Sequence, residues 1–258
     1  SFADPENREY RAKKQLETMK LQNDVLSPKS IIPFASFIYF AHEENFYMND
    51  FVNTPKVVEN YIDKNLKVNS IWLKPNETWN VGDAKDNKKS IEYWMNYYNN
   101  IEKLPKIKPV TTYSLSELEK KYISYINRIK TRNNSFLVYI YNLIFGNRIF
   151  LFLYDIDIFV EISLLNGIKV LESIPENYIK LHTESLAFVF DFDYGIDTFA
   201  VAARFESKED IFDDFTKTFA IGELNNTGKF LKFNNVYKYI EFDFIWRLLK
   251  FFKKAPSG

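Results

Sequence analysis

The most apolar stretch of the chain, SFLVYIYNLIFGNRIFLFLYDIDIFV over residues 135–160, sets the first limit on the fold. A helix that crosses a bilayer needs about 20 predominantly apolar residues in succession. Polar or charged side chains interrupt this stretch at Asn142, Asn147, Arg148, Asp155 and Asp157. We therefore interpret it as buried protein core. The chain also shows no apolar secretion signal near its start, and we expect a cytoplasmic protein.

Residues 110–258 predict an α+β module with an antiparallel sheet. Residues 114–132 predict a helix capped by Ser114 or Ser116, because each serine has a glutamate three residues later, as in a capping box. Residues 148–173 predict two strands joined at the sequence LNG. A further strand is expected over residues 197–207 and a helix over 208–226. The 25 Phe and 17 Tyr residues of the chain provide ample core material.

The first 85 residues predict the order helix, strand, helix, strand. A helix is expected over residues 6–25, a buried strand over residues 31–40, and a second strand over 68–75. Between the strands, Thr54 and Pro55 mark the start of a helix as N-cap and first residue. This order is typical of an α/β arrangement in which helices bury the strands. Residues 86–112 are polar and then proline-rich, and we predict a linker there.

Charge and composition exclude several classes of function. Lys+Arg and Asp+Glu are both 34, so the chain lacks the basic excess typical of nucleic-acid binding, and we expect no nucleic-acid partner. The absence of cysteine excludes thiol nucleophiles, Cys-ligated zinc and Cys-held iron–sulfur clusters. His42 and His182 are the only histidines, which excludes a His-rich metal site built from this chain alone.

The sequence HEEN, residues 42–45, follows directly on the apolar run IIPFASFIYFA. Catalytic groups in α/β sheets cluster where strands end, and an imidazole beside carboxylates can bind a metal or relay protons. The other interpretation is a solvated exit from a buried strand. We predict His42, Glu43 and Glu44 as catalytic residues. We predict substrate contacts at Asn45, Tyr47 and Asn49.

The remaining polar motifs have structural interpretations. His182 is expected at a strand-to-helix junction with Thr183 as the cap. The aspartates 191, 193 and 197 lack the ligand spacing of a calcium loop and are expected to be turn acids with Arg204 as a partner. The basic, apolar segment 244–254 is expected to dock on the core through a terminal helix; contact with a membrane surface is the alternative.

Three segments carry a resemblance to a known family. Pro33, Phe34 and Ala35, followed after six residues by His42, match a family segment in spacing and order. The segments VNSIWLKPNETWNVGD and DYGIDTFAVAARFESKEDIFDDFTKTFAIGELNN are similar to a later strand and to a C-terminal module. In these segments the chain resembles the CMP-N-acetylneuraminate hydroxylases and related bacterial metallo-β-lactamase-fold proteins. The C-terminal module is also similar to the sterol-carrier-like appendage of some hydrolases of this fold.

The resemblance implies a fold and an activity. Residues 1–85 would form the C-terminal portion of an αββα metallo-β-lactamase-like sandwich, residues 86–112 the linker, and residues 113–258 a sterol-carrier-like module. The intact protein would be a metal-dependent hydrolase, or a hydroxylase-like enzyme acting on a sugar nucleotide. Its divalent zinc or iron would be held mostly by ligands outside this chain, with no metal bound by this chain alone. His42 would position substrate or transfer a proton.

Partners follow from the same interpretation. The sheet partners of residues 1–85 would come from the missing N-terminal part of the domain or from another chain, and a homo-oligomer is a further option. The alternative function is a non-catalytic binding or oligomerisation module. In that interpretation the Phe-rich C-terminal module encloses an apolar ligand, unless the Phe side chains fill the core themselves.

Overall fold

A computed structural model describes residues 5–34, 39–207 and 209–234. The chain divides into two compact units, one of residues 2–108 and one of residues 109–258. As predicted, the chain mixes helix and sheet: the described residues form eight α-helices, a two-stranded sheet and a five-stranded sheet. None of the described helices is both long and apolar enough to cross a membrane. Residues 244–254, predicted as a basic terminal helix, lie outside the described part.

The N-terminal unit contains three α-helices and two short parallel strands. Its elements are α1 (Pro5–Leu26), β1 (Ser30–Ile31), a 3-10 helix (Phe46–Phe51), α2 (Pro55–Asn65), β2 (Asn69–Ser70), α3 (Lys88–Tyr98) and a second 3-10 helix (Ile101–Lys103). In the parallel pair, Ser30 lies opposite Asn69 and Ile31 opposite Ser70. The first helix and the helix after Thr54 confirm the predictions made for them.

Helix α2 starts as its sequence predicts and forms much of the core of this unit. The Thr54 side chain accepts a hydrogen bond from the backbone N–H of Val57, and Pro55 occupies the first turn. The core combines residues from α2, from the segment after β2 and from α3: Val58, Ile62, Leu66, Trp72 and Ile91. Trp72 has no exposed surface. These helices therefore bury the segment that follows β2.

The prediction of a buried strand over residues 31–40 is wrong for residues 31–34, the part of this segment that the structure describes before residue 39. Pairing ends at Ile31, and Ile32 and Phe34 expose 42% and 78% of their surface. Pro33 lacks the N–H that a ladder needs, so the strand cannot continue through it as a paired central strand. Residues 35–38 lie outside the described part. The second strand is also shorter than predicted, because the backbone N–H of Trp72 donates to the Asn87 side chain.

Residues 86–112 are not a linker over their whole length. Helix α3 lies within them and contributes the buried residues Ser90 and Ile91 to the N-terminal unit. The Trp94 indole donates to the backbone oxygen of Leu73, which ties the helix to the preceding segment. The boundary between the two units falls at Lys108 and Pro109, inside the predicted linker. The polar composition of residues 86–100 reflects the exposed face of a helix.

Glu77 connects the turn before α3 to the helix itself. Its carboxylate accepts hydrogen bonds from Lys85 Nζ (2.6 Å), Ser90 Oγ (2.8 Å) and the backbone N–H of Lys74 (3.0 Å). The Lys85 ammonium, followed by the other two donors, lowers the pKa of Glu77 from 4.5 to about 2. The ionised carboxylate is therefore the form that the folded unit stabilises.

Glu77→Gln is expected to remove a pH-dependent part of the stability of the N-terminal unit. Because the folded pKa lies below the ordinary value, the contribution is complete above pH 4.5 and is lost as the pH falls towards about 2. We expect a loss of about 1 kcal/mol at pH 7, since solvent screens this partly exposed pair. Urea unfolding from pH 7 to 2.5 measures it, and the variant should show a flatter profile at the acidic end.

Glu92→Gln, which changes an exposed carboxylate on α3, is the matched control. If Glu77→Gln and Glu92→Gln alter the acid limb of the profile equally, the Lys85–Glu77 pair does not have the role assigned to it.

The C-terminal unit is an α+β module built on a five-stranded sheet. Its elements are α4 (Leu115–Arg132), α5 (Ser135–Phe145), β3 (Ile149–Leu153), β4 (Ile158–Ser163), β5 (Gly167–Val170), β6 (Ile179–Leu181), α6 (Thr183–Asp191), α7 (Gly195–Ala202), β7 (Phe205–Glu206) and α8 (Glu209–Asn226). The strand order is β5-β4-β3-β6-β7. Strands β3 and β6 are parallel and every other pair is antiparallel.

Three sequence predictions for this unit need correction. The sheet is mixed, because the chain crosses over between β5 and β6. Residues 148–173 form three strands, with the LNG turn as predicted and a second turn at residues 154–157. Residues 197–207 contain most of α7 and only a two-residue strand. The helix is favoured because Ile196 and Phe199, three residues apart, both point into the core.

Aromatic rings fill the core between α4, α6 and α8. The ring centroids of Tyr125, Phe190 and Phe219 lie 6.0–6.2 Å from one another, and Phe215 lies 5.2 Å from Phe219. The Tyr125 hydroxyl donates to the backbone oxygen of Phe219 (3.0 Å), and burial raises the Tyr125 pKa. The Phe residues of α8 therefore contact one another and the aromatic residues of α4 and α6.

Candidate functional site

The predicted site residues of the HEEN segment lie in one tight turn. The backbone N–H of His42 donates to Asn45 Oδ1 (3.0 Å), and the N–H of Asn45 donates back to the His42 carbonyl (3.1 Å). Asn45 is buried. Its side chain therefore fixes the backbone of the turn, which differs from the substrate contact predicted for it.

Asn49 holds the other side of this turn. Its side-chain oxygen accepts from the N–H of Phe40 (2.9 Å), and its amide nitrogen donates to the carbonyls of Phe40 (3.0 Å) and Phe46 (2.8 Å). A side-chain amide has one acceptor and two donor hydrogens. Asn49 uses the acceptor and both donors on the backbone, so in this structure its role is to position the turn.

His42 lies beside a second segment of the same unit. It forms an isolated parallel bridge with Ile107: the Glu43 N–H donates to the Ile107 carbonyl (3.0 Å), and the Ile107 N–H donates to the carbonyl of Ala41 (2.8 Å). His42 is half-buried and Glu43 is exposed, with its carboxylate 3.6 Å from Lys108 Nζ. The turn thus holds His42, Glu43 and Glu44 as consecutive residues on a backbone fixed from both sides.

Tyr47 belongs to an anchor for α1 that the sequence did not indicate. The buried Arg8 guanidinium lies 5.2 Å from the Tyr47 ring and 5.4 Å from the Phe51 ring, and 3.6 Å from the Asp50 carboxylate. Cation–π contacts of this kind stabilise a cation against aromatic faces. Arg8 appears in the sequence among many charges of a weakly amphipathic helix, so only the spatial arrangement reveals its role.

The side chains of the described residues do not fit a complete metal site. No group of three or more His, Asp or Glu side chains within 5–34, 39–207 and 209–234 is arranged to hold a metal ion. His42 is the single histidine of the N-terminal unit. An imidazole beside two carboxylates can accept or donate a proton, and that is the chemistry this turn offers by itself.

An aromatic groove lies on the N-terminal unit, between α3 and the segment that precedes His42. It has a volume of about 200 Å³ and is lined by Tyr39, Tyr93, Trp94, Tyr97 and Tyr98, with Ile101 and Leu104. Burial raises the pKa of Tyr98 to about 12, so its hydroxyl stays neutral. This groove was not predicted from the sequence. The run YWMNYY at residues 93–98 could have indicated it, but those residues were interpreted as part of a linker.

His182 caps helix α6 and is part of a buried hydrogen-bond network. Its Nδ1 accepts from the N–H of Glu184 (3.1 Å), and its Nε2 lies 3.4 Å from the Asp155 carboxylate. Asp155 also accepts from the backbone N–H (2.9 Å) and the hydroxyl (2.5 Å) of Thr183. The junction is as predicted, but His182 is the cap and Thr183 is the first helical residue. Both imidazole nitrogens have structural partners.

The acidic residues near Gly195 form ion pairs with α4. Asp191 pairs with Lys121 (2.6 Å), and Asp193 pairs with Arg128 and Arg132. Arg204, predicted as their partner, pairs instead with Glu184 (3.2 Å). These carboxylates connect the end of α6 and the residues after it to α4.

Comparisons of the sequence with family models and with curated proteins, and of the structure with solved structures, gave no match.

Proposed function

We propose that this chain is the C-terminal part of a larger metal-dependent enzyme of the metallo-β-lactamase fold. In this proposal, residues 1–108 complete an αββα domain whose metal ligands lie mostly outside the chain, and the C-terminal unit is a sterol-carrier-like appendage. The enzyme is a hydrolase, or a hydroxylase-like enzyme acting on a sugar nucleotide. His42 acts in proton transfer or substrate positioning.

The observation that carries the proposal is the size of the N-terminal sheet, which has two strands in the part of the unit that the structure describes. Its two parallel strands pair over two residues each. Parallel sheets are normally covered on both faces and contain more than two strands. Beside β1, Ile32 and Phe34 are exposed, and a cleft of about 440 Å³ lies between α1 and residues 28–34. An apolar edge of this kind is a template for further strands.

The fixed turn at His42 provides the second line of support. Asn45 and Asn49 direct three side-chain groups onto its backbone, and Ile107 pairs along its other side. A site for proton transfer needs an imidazole held in one place. The resemblance of the Pro33–His42 segment to the hydroxylases is the reason for proposing that this turn lies on the catalytic face of the domain.

The test compares the 258-residue chain with the full product of the gene that encodes it. We expect the full product to retain stoichiometric zinc or iron after gel filtration, measured by inductively coupled plasma mass spectrometry. The 258-residue chain alone should bind the hydrophobic dye ANS and self-associate in light scattering, because its sheet edge is open. A full product without metal, or a monomeric chain that does not bind ANS, contradicts the proposal.

A second experiment examines His42 itself. In the metal-loaded full product, His42→Gln is expected to lower kcat about 10²-fold or more while the metal content is unchanged. His182→Gln is the matched control, since His182 caps a helix in the other unit; assayed below its melting temperature, it should retain activity. If His42→Gln and His182→Gln are equally active, His42 has no part in the mechanism.

The alternative of a pocket for an apolar ligand in the C-terminal unit has less support. The rings of Tyr125, Phe190, Phe215 and Phe219 contact one another between α4, α6 and α8, where such a ligand would lie. Close-packed interiors of this kind leave little room for a guest molecule.

A further inference from the structure

We propose that the aromatic groove of the N-terminal unit binds a quaternary ammonium group, such as that of choline. The site is separate from the His42 turn, and its test does not depend on the enzymatic proposal. The groove is lined by aromatic side chains and is small.

Several polar groups of the lining residues already have partners within the unit. The Tyr93 and Tyr97 hydroxyls lie 3.3 Å apart, and one donates to the other. The Tyr39 hydroxyl donates to the carbonyl of Pro105 (3.4 Å), and the Trp94 indole N–H donates to the carbonyl of Leu73 (2.9 Å). These residues therefore offer a ligand mostly ring surface. A ligand that needs several directed hydrogen bonds, such as a sugar, is disfavoured.

The rings of Tyr93, Trp94 and Tyr97 are inclined to one another and do not form one flat surface. Tyr93 and Trp94 meet at 82° with centroids 5.4 Å apart, and Tyr93 and Tyr97 meet at 63° with centroids 5.3 Å apart. A nucleobase stacks best on a ring that lies parallel to it. In both pairs the edge of one ring lies against its neighbour, so they offer a nucleobase no parallel platform. The four tyrosines and one tryptophan that line the groove supply the aromatic surface that attracts a compact cation.

Charge and size agree with this assignment. Among the residues that the structure describes, the lining contains no lysine or arginine that could occupy the groove as an internal cation, and no charged residue of either sign. Its volume of about 200 Å³ is below the range of roughly 300–1,000 Å³ typical of sites for drug-sized ligands. One small group, such as a trimethylammonium head, matches this space better than an extended molecule.

The test titrates the 258-residue chain with choline chloride and follows binding by saturation-transfer NMR and by tryptophan fluorescence. The neutral carbon isostere 3,3-dimethyl-1-butanol has the same shape without the charge, and sodium chloride controls for ionic strength. We expect choline to bind about fivefold more tightly than the isostere, a ratio in keeping with an exposed cation–π site.

Two substitutions at Tyr97 distinguish binding through the aromatic ring from binding through the hydroxyl. Tyr97, which is 45% exposed, tolerates substitution. Tyr97→Phe keeps the ring and should bind choline within twofold of the parent chain, whereas Tyr97→Leu should weaken binding about fivefold. Tyr139→Leu, a change at an exposed tyrosine of α5, is the matched control and should leave binding unchanged. Circular dichroism confirms that each variant is folded.

Three outcomes overturn the proposal. Equal binding of choline and its neutral isostere would indicate a merely apolar groove. Binding of adenine or of a simple sugar, without binding of choline, would assign a different ligand class. Absence of choline binding up to high millimolar concentration in the folded parent chain would leave the rings as part of the structural core.

Discussion

Replacing Phe219 by alanine is expected to lower the free energy of unfolding of the C-terminal unit by about 3–5 kcal/mol. The side chain is fully buried, and its ring packs 5.2 Å from Phe215 and 6.0 Å from Tyr125. Truncation removes this packing and leaves a cavity that the surrounding helices cannot close. Tyr125 also donates its hydroxyl hydrogen bond to the Phe219 carbonyl, so any shift of α8 strains a buried polar contact.

Urea unfolding measures this loss, and hydrogen exchange followed by mass spectrometry on peptides of α6 and α8 assigns it to the C-terminal unit. Phe136→Ala on α5 is the matched control, since that residue is 60% exposed; its cost should stay below about 1 kcal/mol. If the two variants unfold at the same urea concentration, the aromatic cluster is not the main source of stability in this unit.

Asp155→Asn is expected to destabilise the C-terminal unit by about 2–3 kcal/mol. His182 Nδ1 accepts the capping hydrogen bond of α6, so the neutral imidazole carries its hydrogen on Nε2, facing Asp155. An asparagine can place only its oxygen or its NH₂ group towards each partner. If the NH₂ group faces His182, two donors oppose each other. If the oxygen faces His182, the backbone N–H of Thr183 loses its acceptor.

Asp157→Asn is the control for this change, because Asp157 lies in the same turn but is exposed. Its φ of 54° suits asparagine as well as aspartate. Thermal unfolding by circular dichroism compares the two variants. A similar melting temperature for both would show that the buried carboxylate adds nothing beyond the turn itself.

Helix starts could be predicted from the sequence because their signals are contiguous. Thr54 with Pro55, and Ser114 with Glu117, satisfy backbone groups within three residues, and both predictions are confirmed. The sequence left Ser114 and Ser116 open as caps. The structure selects Ser114, whose side chain and Glu117 form both bonds of the capping box.

Strands were harder to predict because a strand depends on partners distant in sequence. The apolar run from Ile31 resembles a buried strand locally, yet only its first residue, Ile31, belongs to the paired strand that ends before Pro33. Residues 197–207 include Thr198, Phe199 and Val201, which are residue types enriched in strands. The helical spacing of Ile196 and Phe199 nevertheless fits the core better. Tertiary packing overrode local pattern in both places.

The roles of the site residues stay predictions. The sequence singled out residues 42–45 as the end of an apolar strand, and the structure gives their backbone hydrogen bonds that fix a turn. It could not show that Asn45 and Asn49 hold that backbone with their side chains, since an amide in a polar loop looks equally suited to a ligand. The aromatic groove was missed because its walls come from α3 and from Tyr39, more than 50 residues earlier in the sequence.

The parallel pairing of β3 with β6 has a consequence for synthesis on the ribosome. Strands β3, β4 and β5 are joined by short turns and can pair as soon as they emerge, whereas β6 must return across the sheet to reach β3. Phe215 and Phe219 of α8 then complete the aromatic core. The core of the C-terminal unit is therefore complete only when α8 has left the exit tunnel, and until then the nascent chain lacks the rings of Phe215 and Phe219, the second of which packs against Tyr125 and Phe190.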